Sequence, residues 1–81
     1  MSKYRVKYRG SSCTVETGMP TDPIRVNGEA TMFRVADFTS TERRIRAAIA
    51  AHWAGAVVDT EEEATLDTHI VWDDVEYAPT N

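Results

Sequence analysis

Cysteine is almost missing: Cys13 stands alone in 81 residues. A single thiol cannot close an internal disulfide, so the fold must rest on packing and hydrogen bonds, and a reducing compartment suits it. Four glycines and three prolines are too few for a collagen-like or low-complexity chain. No apolar run approaches the roughly 18 residues of a membrane span. The opening "MSKYRVKYRG" lacks the apolar stretch of a signal peptide, so the expected location is the cytoplasm.

The chemistry-bearing motifs are missing too. The sequence contains no phosphate-binding loop, dinucleotide glycine pattern, zinc-ligand spacing or Gly-x-Ser-x-Gly elbow. A nucleophilic Cys13 would need a base to lower its pKa, and the histidines are limited to His52 and His69. Cys13 therefore reads as a small apolar packing residue. His69 with Asp67, Asp73 and Asp74 offers ligand types for a divalent ion, but strand alternation sends Asp73 and Asp74 to opposite faces. The expectation is a protein that is not an enzyme, with no catalytic residue, no metal and no cofactor.

What is present is an ordinary globular composition, 42% hydrophobic and 27% charged, in a chain long enough for one domain spanning 1–81. The charge is unevenly placed. Residues 1–36 sum to +3 and residues 37–81 to −7, giving the net −4. The positive part begins as a ladder: Lys3, Arg5, Lys7 and Arg9 fall on every second residue, which in a strand puts all four on one face and Tyr4, Val6 and Tyr8 on the other. The negative part is concentrated in Asp59, Glu61, Glu62, Glu63, Asp67, Asp73, Asp74 and Glu76. The plain reading is a solvated acidic loop, or two halves that neutralise each other on folding. The functional reading is a carboxylate array that imitates phosphate spacing and steers the domain to a basic partner.

The hydrophobic pattern predicts an α+β layer, a small antiparallel sheet of 3–5 strands with one helix packed on one face. Strands are predicted at 3–9, 13–17, about 29–36 and 69–77, with a turn at "GSS", a loop at "GMPTDP" and an Asn-Gly hairpin at 27–28. The helix is predicted over about 40–54. Thr39 and Glu42 have capping-box spacing, Glu42 and Arg46 form an i,i+4 pair, and Ile45, Ala48, Ile49 and His52 make the buried stripe. Arg43, Arg46, Ala47 and Ala50 are expected to face away. "AVVD" is either a short strand or the helix exit, and "TEEEATLDT" fits a helical turn or a loop equally well. Pro79 and the polar end are expected to fray. Ile45, Ile49, Val6, Phe33 and Val71 are expected to share the core. Neighbouring first and last strands would pair the ladder with Asp74 and Glu76.

The stretches "YRVKYRG", "FRVADFTSTERRIRAAIAAHW" and "HIVWDDVEY", roughly half the chain, follow the order strand, capped alanine-rich helix, acidic last strand. In that order the chain resembles small phage and mobile-element proteins, and among them the type I anti-CRISPR proteins. The seven arginines against two lysines agree with a GC-rich bacterial or phage source. The resemblance implies a non-catalytic inhibitor acting by protein–protein contact. Its implied partner is a host protein, a basic nucleic-acid-binding subunit of a multi-subunit CRISPR effector, whose recognition of target DNA it blocks. No direct nucleic acid or membrane contact is expected, and the inhibitor would act as a monomer or dimer. From the charge pattern, the expected partner-binding residues are Asp59, Glu61, Glu62, Glu63, Asp67, Asp74 and Glu76. The alternative is a small nucleic-acid-binding or virion-associated domain using the basic first strand, although the tyrosines lie on the opposite face from the bases and the net charge opposes phosphate binding.

Overall fold

The computed structural model describes residues 1–54 and 71–80. Five strands form one antiparallel sheet: β1 Ser2–Tyr8, β2 Ser11–Thr17, β3 Pro23–Val26, β4 Glu29–Arg34 and β5 Val75–Thr80, in the spatial order β4-β3-β2-β1-β5. Among the described residues there is one α-helix, α1 (Thr41–Ile49), which continues into a π-helical turn at Ala50–Ala54. This is the α+β layer that the hydrophobic pattern predicts.

Two hairpins are set by paired positive φ angles. Asn27 (φ 52°) and Gly28 (φ 86°) occupy the β3–β4 turn, as Asn-Gly predicts. The β1–β2 turn is made by Arg9 (φ 47°) and Gly10 (φ 85°), one residue earlier than "GSS" suggests, and Ser11 and Ser12 belong to β2. An arginine in the left-handed region is uncommon. Here its side chain is anchored, its Nε donating to Asp74 Oδ2 at 2.8 Å.

β4 stops at Arg34 rather than 36, because Val35–Asp37 form a 3-10 turn. That turn is tied back to the preceding loop: Val35 N donates to Asp22 O at 2.9 Å and Ala36 N to Pro20 O at 3.0 Å. The helix is capped by Ser40, not by Thr39. The Ser40 Oγ accepts from Arg43 N at 3.2 Å, satisfying one of the donors a helix start leaves open. The Glu42–Arg46 pair forms as predicted, at 3.4 Å. Arg44 Nε donates to the carbonyls of Val35 and Phe38 at 2.9 and 3.1 Å, which pins α1 to the turn before it.

The core lies between α1 and one face of the sheet. Val6, Cys13, Val15, Ile24, Val26 and Phe33 come from the strands, and Phe38, Ile45 and Ile49 close it from the other layer. Ala47 and Ala50, expected to face away, are buried with Ala48. Small side chains let a helix lie close to its neighbours, so more of its circumference is covered than a standard amphipathic stripe provides. His52, expected on the buried stripe, is exposed, since it lies in the π-helical turn, whose winding departs from the 3.6-residue period.

The C-terminal element differs most from expectation. The predicted strand 69–77 begins only at Val75, because Trp72–Asp74 form a 3-10 turn that breaks the alternation. Val71 is consequently 44% exposed and takes no part in the core. β5 instead runs on to Thr80, with Pro79 paired opposite Tyr4 rather than frayed. Proline is tolerated there because β5 is an edge strand. The readings for "AVVD" and "TEEEATLDT", and the placement of His69, fall outside the described residues.

Candidate interaction surfaces

The ladder of β1 is resolved by its two neighbours. Lys3, Arg5 and Lys7 are exposed and point away from the core, while Val6 is fully buried. Opposite Lys3 are Glu16 of β2 and Thr80 of β5, and opposite Arg5 are Thr14 and Ala78. Lys7 lies between Ser12 and Glu76. Lys3 Nζ approaches Glu16 Oε1 at 3.9 Å. Glu16 in turn pairs in register with Arg25 of β3, so one row reads Lys3, Glu16, Arg25 across three strands. Arg25 also donates to Gly28 O at 3.3 Å. Exposed pairs of this kind contribute at most about 1 kcal/mol each, so they set the local charge pattern more than they set stability.

At the hairpin tip the contact is closer. The Arg9 guanidinium meets Asp74 at 2.8 Å and lies 5.5 Å from the Tyr8 ring centre. The hydrogen bond to Asp74 pushes the arginine further above its already high pKa, with Tyr8 adding to the effect. Val71 N donates to Tyr8 Oη at 3.2 Å, and the Arg46 guanidinium sits 4.9 Å over the Trp72 ring. Three independent contacts thus fasten residues 71–74 to the body of the domain.

The expected partner-binding residues separate into two groups. Asp59, Glu61, Glu62, Glu63 and Asp67 lie outside the described residues. Asp74 and Glu76 are brought together with cations: Asp74 is bound to Arg9, and Glu76 stands opposite Lys7. The anticipated pairing of the first and last strands is therefore present, and it is partial, since Arg5 has only Thr14 and Ala78 opposite it. Sequence reasoning missed Arg25 as a member of the basic face. Its place follows from the β2–β3 register, which no local signal specifies.

All nine lysines and arginines are among the described residues, with eight of the thirteen carboxylates, leaving that part at +1; residues 55–70 carry the other five carboxylates and no lysine or arginine, which accounts for the net −4. Among the described residues, two of the clefts beside β5 adjoin the cations of β1 and its turn. One, of about 330 Å³, is lined by Arg5, Lys7, Glu76, Tyr77, Ala78 and Thr80. The other, of about 450 Å³, is lined by Lys7, Arg9, Gly10, Ser11, Ser12, Asp74 and Glu76. Cys13 is buried, and its burial pushes the thiol pKa up, away from the reactive thiolate. Among the described residues, no group of three or more histidine, cysteine or acidic side chains could hold a metal ion, and no helix is long and apolar enough to cross a membrane. No protein-family model, curated protein or solved structure matches the chain.

Proposed function

We propose that this protein is a non-catalytic inhibitor from a phage or mobile element that acts by binding a host protein. In its sharpest form it is an anti-CRISPR protein that blocks target-DNA recognition by a type I surveillance complex. One observation carries the reading: the charge is sorted along the chain, with five carboxylates and no lysine or arginine in residues 55–70 and a near-neutral remainder. A basic groove that normally holds nucleic acid is the complementary surface for such a segment, and complementary fields chiefly accelerate encounter. The contacts of Arg9, Tyr8 and Arg46 with residues 71–74 support it, because they hold the residues that follow that segment in sequence against the β1–β2 hairpin and α1. The binding residues in this reading are Asp59, Glu61, Glu62, Glu63 and Asp67, with Asp74 and Glu76 at the margin.

Charge reversal of Glu61, Glu62 and Glu63 tests the mechanism. Association with the target complex is expected to slow by roughly tenfold or more at low salt, and its salt dependence to flatten, with dissociation little changed. Circular dichroism must show that the variant keeps its fold. Equal inhibition by the folded variant and the wild type would rule out the acidic segment as the binding surface.

A nucleic-acid-binding or virion-associated domain is the second reading, and the outward-facing Arg5 and Lys7 favour it. Against it, Glu16 and Glu76 stand among the same cations, where they would repel phosphates.

A further inference from the structure

We infer that the side of the sheet turned away from α1 is a second docking surface, and that its partner is an extended, carboxylate-bearing segment of another protein. The inference is independent of the acidic segment and rests on β1 and its neighbours. Arg5 lies near the middle of this face, opposite Thr14 and Ala78. Among the described residues neither Arg5 nor Lys7 makes an ion pair or side-chain hydrogen bond; Arg5 has only neutral residues opposite it, and Lys7 stands across from Glu76 without closing a bridge to it. The other outward charges are interleaved, Lys3 with Glu16 and then Arg25.

The pattern selects the partner. Alternate residues of a strand are roughly 6.6–6.8 Å apart, so an extended peptide with carboxylates on every second residue matches Lys3, Arg5 and Lys7 in period. The cleft of about 330 Å³ beside Arg5 and Lys7 reaches Ala78 and offers a recess for a small apolar side chain between the charges. A nucleic-acid strand fits less well. It is uniformly anionic and would meet Glu16 and Glu76. The outward positions of β1 and β2, which are Lys3, Arg5, Lys7, Ser12, Thr14 and Glu16, carry no aromatic ring, and the cleft has a single one, Tyr77, in its lining, where single-strand binding stacks successive bases on several.

The test is a titration of the isotope-labelled chain, followed by backbone amide NMR, with a short synthetic peptide that alternates glutamate and valine. Saturable shifts are expected at residues 3–7, 12–16 and 76–78. The double variant Arg5→Gln, Lys7→Gln is expected to bind roughly five- to tenfold more weakly, as the loss of two exposed charge pairs implies. Both positions are solvent-facing, so the same spectra report that the variant stays folded. A peptide of equal composition with its glutamates in one block is expected to bind more weakly than the alternating one. The inference fails if no saturable shift occurs, if the folded double variant binds as well as the wild type, or if the shifts map to α1. It also fails if oligothymidylate moves the same amides at lower concentration than the peptide, which would assign the face to nucleic acid.

Discussion

Replacing Phe38 by alanine is expected to destabilise the domain by about 3–5 kcal/mol, the range for truncating a buried aromatic. The ring is only 1% exposed and meets Phe33 edge to face, with centroids 5.6 Å apart and planes at 79°. Such pairs add a contribution beyond area burial. Small domains have a total stability of roughly 5–15 kcal/mol, so this one truncation removes a large share of it. The thermal midpoint is expected to fall by well over about 10 °C, given roughly 4–8 °C per kcal/mol for a domain of this size. Met32→Ala is the control. That side chain is 68% exposed on β4, and its removal is expected to stay within about 0.5 kcal/mol of wild type. A shift below about 4 °C for Phe38→Ala would mean that the segment between β4 and α1 does not seal the core.

Ile49→Ala is the second large effect, about 2–5 kcal/mol by the same cavity argument. Ile49 is fully buried at the last turn of α1, and its flanking residues Ala48 and Ala50 are fully buried as well. The cost within that range depends on how far the surrounding core collapses into the space. Urea unfolding measures it directly: the midpoint falls while the slope stays constant. An unchanged midpoint would mean that the Ile45–Ile49 side of the helix is not the packing face.

These two residues differ in how far the sequence announced them. Ile49 lies on a period of 3.6 in a segment with a cap, an i,i+4 ion pair and good helix formers, so local signals agree and the element is legible. Phe38 belongs to no periodic run. It is buried because the 3-10 turn of Val35–Asp37 and the Arg44 bonds to Val35 O and Phe38 O fold the chain back over Phe33, a tertiary event. The same division holds elsewhere. Asn27-Gly28 and the β1 ladder were legible because turn chemistry and period 2 are local. The Arg9-Gly10 turn was displaced by one residue because arginine carries no turn signal of its own and the adjacent serines do.

The C-terminal strand was half legible. Its existence follows from "HIVWDDVEY", but alternation cannot reveal the 3-10 turn at Trp72–Asp74, so Val71, expected in the core, is exposed. Proline at 79 argued for fraying, and only the sheet order, which makes β5 an edge, shows why it is accommodated. Of the candidate site, the cations of β1 are legible, and Asp74 and Glu76 are legible as their partners only on the condition that the first and last strands are neighbours. Strand neighbours far apart in sequence are set by the whole sheet. The pairing of the first strand with the last through Lys7 and Glu76 is such a case, as is the placement of Arg25 beside Glu16.

The most direct test of the proposed function is target-DNA binding by purified type I surveillance complexes, measured by mobility shift with this protein in excess. The proposal predicts that the shifted DNA band is lost as the protein is added before DNA, and that the protein co-migrates with the complex. Undiminished DNA binding and cleavage across several type I systems, with the added protein shown to be folded, would contradict it.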